Sequence, residues 1–232
     1  MSRREPLQQR SRERVELILT AAAELLADGG VEALTMRSLA ARAEIPVATI
    51  YRYFANREEI IAAYLEHDLE EIDAAVEAAV LALDRVTVRS LSEAVVLAHM
   101  RHHQAHPEGI PVWFGGRLNP AVLDTVRQLD VRIAASLRLA TGSAGMLRGA
   151  PSFSSDLVVR LVDRTLEFAL LSDRTPAEQE MIAMSVVDMV AGYLEGFATP
   201  AGLEGVQAQE FALAAAEARA RAEDRLAEVP NR

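Results

Sequence analysis

Thr35-Met-Arg-Ser-Leu-Ala-Ala-Arg-Ala-Glu-Ile-Pro-Val-Ala-Thr-Ile-Tyr-Arg-Tyr-Phe54 reads as two short helices joined by a tight turn. Thr35 is placed to cap the first, in which Met36, Leu39, Ala40 and Ala43 recur at helical spacing. Pro46 opens the second at the position where a missing N–H costs nothing. Ile50 and Phe54, four residues apart, give that helix a buried face and leave Thr49, Tyr51, Arg52 and Tyr53 pointing outward. Hydroxyls and a guanidinium gathered on a short exposed helix are groups that contact phosphates and base edges. The pattern is that of a helix-turn-helix.

Charge around this stretch fits an anionic partner although the chain as a whole does not. The net charge is −10 over 232 residues. Residues 1–57 hold nine Arg against seven acids, a local +2, and residues 58–232 hold fifteen Arg against twenty-seven acids, a local −12. The asymmetry lets the N-terminal part face a polyanion while the acidic body stays away from it. Half of the residues are apolar and only 5% are aromatic, a balance that suits helices more than sheets. The absence of Cys excludes disulfides, thiolate metal sites and a cysteine nucleophile. With neither a span-length apolar run nor an apolar signal core after the N-terminus, a soluble cytoplasmic protein without a membrane partner is expected.

Further helices flank the motif. Ser11 to Ala27 carries an apolar stripe of Val15, Ile18, Ala22 and Leu25 or Leu26, and Asp28-Gly29-Gly30 stops it. Ahead of it, Arg3, Arg4 and Arg10 belong either to a solvated tail or to an arm that reaches a minor groove. After the motif, Asn56 and Glu59 form a near capping box, and an uninterrupted pattern from Ile60 to Leu83 predicts a long connecting helix. Beyond it come helices over about 87–106, 120–140, 153–171 and 176–198, the last opened by a full capping box, Thr175-x-x-Glu178. Residues 108–119 read as a loop, 141–152 as the most flexible linker, and the Ala/Arg/Glu-rich end as an exposed helical appendage.

Residues 11–65 resemble the DNA-binding domain of the TetR family of bacterial transcriptional regulators. The matching stretches are Ala-Ala-Ala-Glu-Leu-Leu-Ala-Asp-Gly-Gly, Leu-Thr-Met-Arg-Ser-Leu-Ala and Thr-Ile-Tyr-Arg-Tyr-Phe-Ala-Asn-Arg-Glu-Glu-Ile. Two positions depart from the family pattern. Glu44-Ile45-Pro46 stands where the family's turn usually reads Gly-Val-Ser, so Glu44 either holds a left-handed conformation or the turn is reshaped. Arg57 stands where a Lys is usual. The resemblance implies an all-α fold, with an N-terminal three-helix helix-turn-helix domain joined by a long helix to a helical ligand-binding and dimerisation domain. The corresponding division is a disordered basic arm (1–10), the DNA-binding domain (11–65), the effector and dimerisation domain (66–198) and a tail helix (199–232).

Carried over by position, the resemblance implies phosphate contacts from Thr35, Arg37, Thr49, Tyr51, Tyr53 and Arg57. Pro46, Val47, Ala48 and Arg52 would then lie nearest the base edges, Arg52 suited to a guanine. It also implies that the last two body helices pair with those of a second copy. Their broad apolar faces, with Leu157, Leu161 and Leu166 on one and Ile182, Val186, Met189, Val190 and Tyr193 on the other, fit that use. A small-molecule effector would sit among the middle helices, with Met100, His103, Trp113, Phe114, Leu118, Leu137 and Phe168 as candidates beside an ordinary core role.

His99, His102, His103 and His106 fall within eight residues, and His99 with His103 and His102 with His106 are i, i+4 pairs of metal-binding spacing. Dipole-favoured structural histidines and pocket histidines compete with that reading. No catalytic constellation stands out, so no enzyme and no cofactor is expected. The expectation is a homodimeric repressor of an inverted-repeat DNA operator, released by a small hydrophobic or aromatic effector. A metal-responsive repressor using the histidines is one alternative. A dimeric small-molecule-binding or scaffold protein with a vestigial helix-turn-helix is the other.

Overall fold

The computed structural model describes residues 5–114 and 120–227. The described residues are all-α apart from a two-residue antiparallel pairing, Arg85 with Gln207 and Val86 with Val206, and an isolated antiparallel bridge between Leu147 and Ala198. In chain order the elements are α1 (Glu5–Ala33), α2 (Met36–Arg42), α3 (Val47–Ile50), α4 (Arg57–Leu81), β1 (Arg85–Val86) and α5 (Val88–Ala105). A 3₁₀ turn (Pro107–Gly109) leads into α6 (Ile110–Trp113), followed by α7 (Pro120–Ser143), α8 (Ser154–Leu170), α9 (Pro176–Glu195), α10 (Pro200–Glu204), β2 (Val206–Gln207) and α11 (Ala208–Ala227). No helix among the described residues is long and apolar enough to cross a membrane.

Two compact units result. One takes in the chain up to Glu70 with His106–Val126; the other takes in Glu71–Ala105 and everything from Arg127 onward. α4 therefore begins in the first unit and ends in the second. In the first, α1 packs on α2, on the 3₁₀ turn and on α6, and α2 packs on α3. Ile18, Leu26, Leu34, Leu39, Ile50 and Leu65 are fully buried there. The sequence pattern assigned 106–126 to the body, because a contact between α1 and residues some ninety positions later leaves no local periodicity to read. The expected loop at 108–119 is helical over 107–113, and Trp113 there donates from Nε1 to the buried Asp68 of α4.

The first helix is longer than its amphipathic stripe implied. It includes residues 5–10, expected as a disordered arm, and is interrupted at Gly29 and Gly30, the latter at φ 64°. Arg3 and Arg4 lie outside the described residues.

In the second unit α5 packs mainly on α9 and also on α8, and α8 packs on α9. Arg89 of α5 reaches Asp188 of α9 at 2.7 Å and Glu195 at 3.4 Å. The segment read as the most flexible linker is held instead. Met146 is fully buried, the Thr199 amide donates to the Met146 carbonyl at 3.0 Å, and the Arg148 amide donates to the Phe197 carbonyl at 2.9 Å. Gly202 is required for this approach, since a Cβ there would stand 2.2 Å from the Met146 carbonyl oxygen. The C-terminal helix is not an exposed appendage either. Phe211, Ala218 and Ala222 of α11 are buried, and Arg219 pairs with Asp73 at 3.3 Å. Its apolar stripe is mostly Ala, which contributes little to a hydropathy pattern but packs closely.

Candidate nucleic-acid interface

The scaffold that presents the motif is built from caps and one ion-pair cluster. Thr35 caps α2 reciprocally with Ser38: the Ser38 amide donates to Thr35 Oγ1 at 3.1 Å and the Thr35 amide donates to Ser38 Oγ at 2.9 Å. Arg42, near the end of α2, reaches back to α1, to Asp28 at 2.5 Å and Glu24 at 3.2 Å. Hydrogen bonds to these two carboxylates, Asp28 first, raise its pKa above the ordinary arginine value. Nothing in the sequence near Arg42 announces this pairing, because its partners lie 14 and 18 residues earlier.

The turn resolves the alternative left by Glu44. It adopts the left-handed conformation, φ 53°, the one non-Gly residue to do so among those described. A side chain here costs roughly 1–2 kcal/mol relative to the glycine the geometry favours. Pro46, at φ −60° and ψ 138°, occupies the N-cap of α3 rather than its first helical position. Beyond the single regular turn of α3, amides of Tyr51 and Phe54 continue the helical pattern to the carbonyls of Val47 (3.2 Å) and Ile50 (3.0 Å).

Ile50 and Phe54 are buried as their spacing required, and this turns the rest outward. Thr35, Arg37, Pro46, Val47, Ala48, Tyr51 and Arg52 are exposed; Thr49, Tyr53 and Arg57 are half-buried. All ten residues expected at the DNA thus lie at the surface of one small domain. Thr35 and Thr49 offer hydroxyl oxygens, although that of Thr35 is already engaged in its cap. The Arg52 guanidinium lies 5.9 Å from the Tyr53 ring centre, within cation–π range, which holds the side chain near the aromatic pair. At the start of α4 the Glu59 amide donates to Asn56 Oδ1 at 2.9 Å, while the Glu59 carboxylate accepts from the Ala55 amide at 2.7 Å. The expected capping box is therefore present but displaced by one residue on its return bond. Arg57, beside this cap, lies 3.6 Å from Glu58.

The remaining expectations are redistributed. Of the pocket candidates, Trp113 and Phe114 are buried in the first unit, and Met100 and His103 are buried in the second. Leu118 lies outside the described residues. Phe168 is 58% exposed, with the Arg174 guanidinium 3.9 Å above its ring, so it faces outward. Of these candidates Leu137 alone lines the cavity found among α5, α7, α8 and α9, a small cavity of about 40 Å³ that is partly open to solvent. His99 directs Nδ1 to the Val95 carbonyl at 2.8 Å, and neither His99 nor His103 joins a set of three potential metal ligands among the described residues.

The residues proposed for pairing separate into two rows. Leu166, Val186 and Val190 are core residues; Leu157 and Met189 are 47% and 51% exposed; Leu161, Ile182 and Tyr193 are half-buried. Both helices carry apolar side chains around more than one face, and sequence alone did not divide the inward row from the outward one.

Comparison with known proteins shows what this segment is similar to. Residues 18–64 match the model for bacterial regulatory proteins of the tetR family. The chain is 41% identical over 71 residues to the HTH-type transcriptional repressor KstR of Mycolicibacterium smegmatis, covering 31% of this chain and 35% of the relative. It is 40% identical over 63 residues to the KstR repressor of Mycobacterium tuberculosis, covering 27% and 29%. The match thus spans about a third of the length of these curated relatives, all transcriptional regulators.

The fold extends further. A putative TetR-family regulator from Syntrophomonas wolfei superposes with TM-score 0.66 at 19% identity, covering 79% of this chain and 98% of that one. Another from Shewanella gives 0.61 at 15% identity, covering 80% and 98%. Residues 18–64 are thus similar to the DNA-binding segment of bacterial regulatory proteins of the tetR family, and the described chain shares the fold of solved regulators of that type.

Proposed function

We propose that this chain is a homodimeric transcriptional repressor that binds an inverted-repeat DNA operator and is released from it by a small hydrophobic effector. The observation that carries the reading is the surface of α3 and its continuation. Pro46, Val47, Ala48, Tyr51 and Arg52 stand exposed together, on a helix fixed by the burial of Ile50 and Phe54, in a domain whose relatives are repressors. Tyr51, Tyr53, Thr49, Arg37 and Arg57 would position the domain on phosphates. Val47 and Ala48 would meet thymine methyls, and Arg52 a guanine edge.

Dimerisation follows from the outward rows of α8 and α9. Phe153, Leu157, Phe168, Met181 and Met189 are all more than 45% exposed, an apolar surface that monomers rarely leave uncovered. A two-fold pair sets two recognition helices about 34–36 Å apart, one DNA turn, over matching half-sites. The cavity among α5, α7, α8 and α9 would hold the effector. Its α8 and α9 walls are the inner faces of the two helices proposed to pair, so a ligand that parts them favours a different dimer geometry. A coupling of about 1–3 kcal/mol between effector and operator is the usual scale of such a switch.

The test is selection of duplexes from the DNA flanking the gene, followed by titration at several salt concentrations. A repressor of this kind enriches an inverted repeat and loses affinity steeply as salt rises. Failure to enrich any duplex would favour a binding or scaffold protein with a vestigial helix-turn-helix.

A further inference from the structure

The cavity of the second unit has an unusual chemical uniformity. Its walls come from α5, α7, α8 and α9 and from Leu147, and they contain no ionisable side chain and no aromatic ring. Valine and leucine supply all of the lining except three hydroxyl residues. Two of those hydroxyls are committed within their own helices: Ser92 Oγ donates to the Val88 carbonyl at 2.8 Å, and Thr141 Oγ1 donates to the Leu137 carbonyl at 2.8 Å. Ser155, half-buried at the start of α8, makes no comparable bond among the described residues.

We propose that this cavity binds an uncharged, saturated hydrocarbon group, an alkyl chain with at most one hydroxyl or carbonyl directed at Ser155. The inference rests on the reading of the body as an effector domain and narrows the class of effector. A cation buried here would meet neither a carboxylate nor an aromatic face, and an anion would meet no guanidinium; either would be left without a partner in an apolar site. A planar aromatic ligand would find no ring for offset or edge-to-face stacking. An alkyl group needs only apolar contact, which is non-directional. Val88, Val158, Val162 and Val190 are stiff about χ1, so these walls present a fixed shape and do not remould as a methionine lining would. The aromatic candidates read from the sequence do not alter this, because Phe168 is on the surface and Trp113 and Phe114 belong to the other unit.

The experiment uses the full chain without DNA and three probes: 1-decanol, 2-naphthol and ethidium. 1-Decanol is expected to raise the melting temperature with concentration and to bind calorimetrically; naphthol and ethidium are expected to leave both signals unchanged. Val95→Phe and Leu137→Phe each fill the cavity from a half-buried position and should weaken decanol binding by at least about tenfold. Using two sites keeps the test valid if one variant misfolds by circular dichroism. Stabilisation by naphthol or ethidium equal to that by decanol would overturn the proposal. So would no binding by decanol, or decanol binding unaffected in both folded variants. Decanol binding that leaves a selected operator complex intact would uphold the ligand class and remove effector release from the proposed function.

Discussion

Trp113 of α6 donates its indole N–H to Asp68 of α4 in the interior of the N-terminal unit, where the two residues are 6% and 4% exposed. The bond ties a segment that follows α5 to the helix that follows the DNA-binding motif. Replacing Trp113 by Phe removes the donor but keeps an aromatic ring, leaving Asp68 short of one partner. The N-terminal unit should lose about 1–3 kcal/mol in urea denaturation followed by circular dichroism. A loss below about 0.5 kcal/mol would mean that the bond contributes nothing net.

Glu44 invites the opposite change. At φ 53° it holds a conformation that glycine adopts without steric cost. Glu44→Gly should stabilise the domain, by about 0.5–1 kcal/mol once the extra freedom of glycine in the unfolded chain is subtracted. An unchanged or lowered melting temperature would show that the Glu44 side chain offsets its strain through contacts of its own.

Arg52 and Tyr51 are exposed and contribute nothing to the core, so their substitution separates binding from folding. Arg52→Ala should weaken operator affinity by about tenfold to a hundredfold and relax the preference at one base pair. Tyr51→Ala should weaken all duplexes alike. Both variants should melt as the parent does. Retention of full affinity by the double variant would remove α3 as the reading helix.

Leu157 and Met189 lie on the outward rows of α8 and α9, beside the buried Val158 and Val190. Leu157→Glu combined with Met189→Glu should convert a dimer to a monomer in light scattering and lower operator affinity by at least about tenfold. Helical content should be unaffected. A dimer that survives both charges would place the pairing surface elsewhere.

The capping box at the start of α9 gives a pH signature. The Glu178 carboxylate is held below the ordinary glutamate value of 4.5, first by the Thr175 backbone amide and then by its hydroxyl. A depressed folded pKa means that the contribution is present above that value and is lost as pH falls through the folded one. Glu178→Gln keeps the shape without the charge. The parent should melt slightly higher than the variant at about pH 7, and the gap should close by about pH 3. An equal gap at both would assign it to packing, and high salt should narrow it because the group is fully exposed.

Much of this architecture was local and therefore legible. Thr35, Asn56 and Thr175 cap helices because their oxygens reach an amide two or three residues on, a bond that involves only neighbours in the chain. The i, i+4 spacing of Ile50 and Phe54 alone decided which side chains of the recognition helix face out, and Glu44 in the turn announced its own strain. What the sequence left open depended on contacts between distant segments. Arg42 finds its carboxylates a helix earlier, and α6 joins the N-terminal unit through Asp68. The 141–152 stretch is tied down by Phe197 and Thr199, while Phe168 turns away from the body it was expected to line. Periodicity states that a face is apolar but not what covers it. Only the tertiary structure separated Val158 from Leu157 and Val190 from Met189, because adjacent positions on a helix differ by about 100° and the neighbouring helix fixes which of them is inside.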